Sequence, residues 1–321
     1  MLFVFLQKRA ILSLGCKVLS FESLTTDMEA AMNQILLPVL LLFPLFLSAE
    51  TIFVKTKAPQ NQQAVFQYRV PKGYDESRRE KYRVLVIFGG RNTDGKADAS
   101  GRMGWGEWCD ENDIFLVCPG FKDDTYWEPK DWSGKALLQA LAQLRESYNI
   151  CTDKLLFYGY SAGSQASNLF PAWRPGICRA WVSHACGVFH EPHSRMKDTP
   201  GLVTCGDADQ ARYIISRNFV EAYRKKGINI IWKSFPNTPH TVPPDSLKLA
   251  RAFLAYYHEL YREDLSGRNR RSGNPGFQFV GDDQESVYYT ANSAGAKNVL
   301  PEDRVELPEE TIAAAWGRKA E

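Results

Sequence analysis

Along residues 83–261, short runs of almost unbroken apolar residues alternate with longer stretches of helical periodicity, and few architectures accommodate that alternation. "RVLVIFGG" (83–90), "DIFLVCPG" (113–120), "KLLFYG" (154–159), "RAWVSHACG" (179–187), "GLVTCG" (201–206) and "NIIWKSFP" (229–236) predict strands. Most lack an apolar/polar alternation, which is the pattern of parallel strands covered on both faces. Between them, 133–148, the stretch after Ser161, 210–227 and 244–261 carry the spacing of amphipathic helices. Strand then helix, repeated, predicts right-handed βαβ units and a three-layer α/β domain with a mostly parallel central sheet. No internal repeat interrupts the pattern.

The ends of the chain depart from it. After Tyr261 the sequence turns rich in Gly, Pro and charge, and "GRNRRSG" holds the only dense basic run, Arg268 to Arg271, which reads as a solvated linker. Beyond the linker, "FQFVGDDQESVYY" predicts a strand or hairpin and "LPEETIAAAWG" a short helix opened by Pro308, so 263–321 forms a linker and C-terminal extension. A formal net charge of +2 over 321 residues provides no electrostatic footprint for nucleic acid.

At the other end, the apolar run from Ile35 to Leu47 is too short to span a bilayer comfortably, is broken by Pro38 and Pro44, and is followed by the small residues Ser48 and Ala49. That pattern predicts a signal peptide within 1–49, translation beginning at Met28 or Met32, cleavage close to Glu50, and a secreted or periplasmic product without a membrane span. Removing the leader removes Cys16 and leaves six cysteines, an even number that permits disulfides, although Cys118 and Cys205 lie in apolar runs where a thiol behaves as a small hydrophobe. Neither cysteines nor histidines show paired ligand spacing, so neither a metal nor another cofactor is expected.

Within the domain at 50–262, "LLFYGYSAGSQ" places Ser161 in a G-x-S-x-G pentapeptide, with an apolar strand entering and a helix leaving. Such a turn holds a hydroxyl above the sheet, and Gly159 and Gly163 remove the Cβ atoms that would collide there. A serine hydroxyl needs a base, and the base an acid, in the chain order Ser, then Asp or Glu, then His. Of the five histidines, His258 lies in a helix, structural or exposed, and His184 in a strand as a satisfied core residue; His190 and His193 follow a strand and line a substrate entrance. His240, in the polar loop "SFPNTPHTVPP", is the base. "GLVTCGDADQ" supplies the acid as Asp207 or Asp209, either of which could instead cap the next helix. The backbone amides of Gly90, or of Arg91, and of Ala162 are the expected oxyanion donors. Trp105, Trp108, Trp127 and Trp132 form either a platform for an aromatic acid or sugar ring, or ordinary core.

"VIFGG", "GYSAG", "GDAD" and "TPH", in this order and spacing, resemble the α/β-hydrolase superfamily over about 64–261. The stretch "GWGEWCDENDIFLVCPGF" with "YWEPKDWSG" is similar to secreted polyhydroxybutyrate depolymerases and feruloyl or acetylxylan esterases, though Phe88 stands where those esterases usually carry histidine. The resemblance implies a cofactor-independent serine esterase whose acid follows the turn glycine as G-x-x-D, which selects Asp209. A serine peptidase of the same fold and a non-catalytic binding protein remain the alternatives.

Overall fold

Eight strands build the central sheet of the computed structural model, which describes residues 49–55, 63–122, 124–191, 194–265 and 276–320. The apolar run at 35–47, the basic run at 268–271 and His193 lie outside the described residues. In chain order the first elements are β1 (Glu50–Lys55), β2 (Gln63–Arg69), β3 (Arg83–Phe88), α1 (Lys96–Ala99), α2 (Trp105–Glu111), β4 (Ile114–Pro119) and α3 (Gly134–Ser147). There follow β5 (Leu155–Tyr160), α4 (Ala162–Trp173), β6 (Cys178–His184), β7 (Gly201–Gly206), α5 (Gln210–Lys225), β8 (Ile230–Phe235) and α6 (Pro244–Leu265). The sheet order is β1-β2-β4-β3-β5-β6-β7-β8. β3 to β8 run parallel and β2 antiparallel to its neighbours on either side.

Alternation along the buried strands feeds two separate cores, as a covered parallel sheet requires. From β3, Val84, Val86 and Phe88 pack with Leu137 of α3, Phe170 of α4 and Phe219 of α5. Leu85 and Ile87 pack instead with Trp105 of α2 and with Leu249 and Phe253 of α6. This is the predicted three-layer arrangement. Among the described residues, no helix is long and apolar enough to cross a membrane.

The C-terminal residues form a second sheet from β9 (Phe279–Asp282), β10 (Val287–Thr290), α7 (Ala294–Asn298), β11 (Arg304–Leu307), α8 (Glu310–Trp316) and β12 (Arg318–Lys319), in the strand order β11-β9-β10-β12. β9 and β10 are the predicted hairpin. α8 starts after Glu309, whose carboxylate accepts from the amides of Thr311 and Ile312, so a glutamate cap rather than Pro308 opens this helix.

This sheet shares the core of the large domain. Trp316 is buried, its indole donates to the Trp232 carbonyl at 2.6 Å, and the Lys233 ammonium sits 4.4 Å from its ring centre. Asp283 Oδ2 accepts from the Trp232 indole at 2.7 Å and from Arg217 at 2.9 Å. Truncating Trp316 to alanine is therefore expected to destabilise the whole protein by about 3–5 kcal/mol, measured as a lower urea midpoint in one cooperative transition. A fall confined to a minor early transition would instead mean that the C-terminal sheet unfolds independently.

Candidate active site

β5 carries the buried run Leu155 to Tyr158 to the carboxyl end of the sheet, and the chain then reverses at Ser161, with φ 55° and ψ −127°, before α4 begins at Ala162. That backbone conformation is uncommon for a residue with a Cβ and persists only where the surroundings impose it. Here they do. A Cβ on Gly163 would fall 2.1 Å from the Phe88 carbonyl oxygen, and one on Gly159 2.4 Å from the Gly163 carbonyl, so strand and helix meet only because both are glycine. The Ser161 amide donates to the His184 carbonyl at 3.0 Å, which ties the turn to β6.

Ser161 Oγ lies 2.9 Å from His240 Nε2, and His240 Nδ1 lies 2.6 Å from Asp209 Oδ2. A carboxylate can only accept, so Nδ1 carries the proton and Nε2 is left to accept from the serine hydroxyl. Asp209 ends the turn after β7, and its side chain is 6% exposed against 38% for His240, so the acid is sealed while the base faces solvent. Gly206 brings the two together: a Cβ there would sit 2.0 Å from the carbonyl oxygen of Thr238, in the loop that bears His240. Asp207 is exposed, and its amide donates to the Phe235 carbonyl. Of the two aspartates, only Asp209 is bonded to the histidine.

Two further residues complete the array without having been singled out for it by sequence. Arg212, one helical turn into α5, donates from Nη1 to Asp209 Oδ1 at 3.0 Å, occupying the carboxylate oxygen that His240 does not use. His184 is fully buried, as expected for a satisfied core histidine, with Nδ1 2.8 Å from Thr204 Oγ1 and 2.9 Å from Ser246 Oγ, and Nε2 2.7 Å from the Thr241 carbonyl.

Burial pushes the His184 imidazole down to about 4. Unfolded, the ring takes its proton near pH ~6.5. Between those values the unfolded state binds more protons, so this residue's contribution is complete above pH ~6.5 and is lost as pH falls towards ~4, by up to about 3 kcal/mol. Urea midpoints should therefore drop on acidification through that window, and the drop should shrink in His184→Gln. An equal slope in the variant would assign the effect to other groups.

Of the predicted oxyanion donors, Ala162 is the first residue of α4, where a helical N–H has no partner within the helix. Gly90, two residues after the end of β3, lies against Tyr160, and Arg91 beside it is exposed. Burial raises the Tyr160 phenol, and a hydrogen bond from the Gly90 backbone partly offsets that rise, so an oxyanion at Gly90 would share or displace this contact.

The predicted aromatic platform is largely core. Trp105 and Trp108, on one face of α2, pack edge to face at 5.5 Å, and Trp105 lies 4.6 Å from the Tyr158 ring in the core lined by α6. Trp132 is buried 5.1 Å from Phe121 with its indole donating to Thr125 Oγ1 at 2.9 Å, while Trp127 is half-buried beside Tyr126. Three of the four are thus anchored by neighbours rather than offered to a ligand. His190 is exposed and lines a cleft of about 300 Å³ with Lys130, Leu169 and Trp173, which contains no member of the serine–histidine–aspartate chain. The six described cysteines are all free and buried, and burial pushes Cys186 up to about 11 and Cys205 up to about 12.

The sheet order, the turn at Ser161 and the hydrogen-bonded serine, histidine and aspartate define a protein of the α/β-hydrolase fold. Solved structures agree on that fold. A ferulic acid esterase is 14% identical, with 66% of this chain and 98% of that chain covered at a TM-score of 0.54. A poly(3-hydroxybutyrate) depolymerase from Bordetella parapertussis is 17% identical, covering 70% and 92% at 0.50. A thermostable esterase is 16% identical over 68% of this chain at 0.51, and the match spans only 62% of that protein's length. No protein-family model and no curated protein matches the sequence.

Proposed function

We propose that the protein is a serine-dependent carboxylic ester hydrolase working through an acyl-serine intermediate. The observation that carries this reading is the unbroken chain from Ser161 Oγ through His240 to Asp209, each link at hydrogen-bond distance. Ser161 Oγ attacks the ester carbonyl while His240 Nε2 takes its proton, and the amides of Ala162 and of the Gly90–Arg91 turn receive the developing oxyanion. Collapse expels the alcohol, which takes the proton from His240, and leaves Ser161 acylated. Water, deprotonated by His240 in its turn, then attacks the acyl-enzyme and regenerates the hydroxyl. Asp209 holds the imidazole in the required tautomer and stabilises its cationic form.

The substrate class in this reading is an ester presented at an open surface, such as a polymer-linked acyl or feruloyl ester or a polyester. Two features support it. The base is open to solvent, and the ferulic acid esterase and the polyester depolymerase share the fold. Export is part of the same proposal and rests on the apolar run ending at Ser48 and Ala49; sequencing the amino terminus of exported protein should give a start close to Glu50, and an intact Met1 or Met32 there refutes cleavage. Hydrolysis of a panel of short acyl, feruloyl and acetyl-sugar esters beside peptide amides tests the reaction class. Turnover of one or more esters with none of the amides is expected, and the reverse would make the protein a peptidase.

A further inference from the structure

The end of β6 meets both halves of the catalytic array. Tyr160 and His184 are register partners where β5 and β6 run parallel, so the His184 carbonyl lies where the nucleophile turn begins, and it accepts the Ser161 amide at 3.0 Å. The side chain of the same residue crosses to the other half. Its Nε2 is 2.7 Å from the carbonyl oxygen of Thr241, the residue directly after the base. A carbonyl only accepts, so Nε2 must carry the hydrogen, and the one remaining lone pair, on Nδ1, faces two hydroxyls, Thr204 on β7 and Ser246 on α6. A ring held from three elements cannot rotate without breaking those bonds. Burial at the same time keeps it neutral, the form with one donor and one acceptor that this environment requires.

We propose that His184 is a positioning residue that fixes the loop bearing His240 relative to the turn bearing Ser161. The loop needs such a fixture. It carries an exposed polar run between Pro236, Pro239, Pro243 and Pro244, and the His240 side chain is itself 38% exposed, so little packing from outside holds the base within reach of the serine. An imidazole N–H on the carbonyl beside His240 restrains that backbone from below, and the Ser161 amide bond restrains the nucleophile from the same residue. The inference rests on the serine hydrolase reading.

The test compares His184→Phe, which keeps an aromatic ring without either nitrogen, with His184→Gln, whose amide keeps a donor near the position of Nε2. Active sites are counted with a fluorophosphonate, so that kcat refers to folded, titratable enzyme. His184→Phe should lower kcat per titrated site by about 10- to 100-fold with KM little changed, as displacement of a reacting group by about 1 Å does, and His184→Gln should recover most of that loss. Wild-type kcat per titrated site in His184→Phe, or a glutamine variant no better than phenylalanine, overturns the proposal, because a purely structural role alters the number of sites and not their turnover. Nitrogen resonances of the wild-type imidazole decide the matter even where the variants fold poorly. They should report a neutral Nε2–H ring between pH ~5 and ~9; an Nδ1–H ring, or titration in that window, overturns it. Should wild-type enzyme neither react at Ser161 nor hydrolyse any ester, the hydrolase reading fails and takes this inference with it, an outcome distinct from labelled, active enzyme that is indifferent to His184.

Discussion

Replacing Ser161 with alanine is expected to lower ester hydrolysis by about 10⁴- to 10⁶-fold while leaving the protein folded. The magnitude follows from the role: without the hydroxyl there is no acyl-enzyme, and only oxyanion binding and substrate positioning remain. Folding should survive because the side chain reaches into the site, where its partner is His240 Nε2, and not into either core. The strained backbone at this position stays as it is, since alanine also carries a Cβ. Purified variant and wild type compared by steady-state hydrolysis and by circular dichroism check both halves. Substantial hydrolysis by a folded variant would remove Ser161 from the mechanism.

The second large effect separates two neighbouring aspartates. Asp209→Asn should reduce kcat by up to about 10⁴-fold, because an amide at this position can donate to Nδ1 and so favours the imidazole tautomer in which Nε2 no longer accepts from Ser161. The contact concerned is the 2.6 Å bond between His240 Nδ1 and Asp209 Oδ2. Asp207→Asn should stay near wild type, since that side chain is exposed and only the main chain of Asp207 takes part in the turn, through its amide on Phe235. Side-by-side kinetics with folding monitored give the answer. A crippled Asp207→Asn beside a near-normal Asp209→Asn would exchange their roles.

The large sheet was legible because its strands are buried on both faces, so β3, β4 and β7 appear as runs in which every position is interior. β1 gave no such signal. It is an edge strand whose burial pattern is mostly exposed, and its pairing with β2 depends on tertiary contact that local hydrophobicity does not encode. α1 and α2 were missed for another reason: they are short, Gly95 with positive φ immediately precedes the first, and glycines with positive φ at 101 and 104 break the helical period between them. The site was legible at Ser161 and His240, where chemistry fixes residue type and chain order, while the resemblance to the superfamily placed the acid at Asp209 rather than Asp207; the three side chains lie at hydrogen-bond distance. It was not legible where the signal is shared with ordinary packing. Trp105 and Trp108 stand three residues apart, the spacing of one helix face, and that spacing serves a core as readily as a ligand platform. The contacts of His184 and Arg212 were also hidden, since each depends on which loops the fold brings together: Thr241 lies 57 positions beyond His184, and Arg212 meets Asp209 only once α5 forms.

Activation of Ser161 as a nucleophile by its neighbours is the step on which every expected effect on hydrolysis depends. The direct measurement is mass spectrometry of the intact wild-type protein after exposure to a fluorophosphonate, followed by peptide mapping. The expected result is a single adduct on Ser161, absent from Ser161→Ala and formed much more slowly in Asp209→Asn. No adduct on the folded wild-type protein, or an adduct on a different residue, would contradict it.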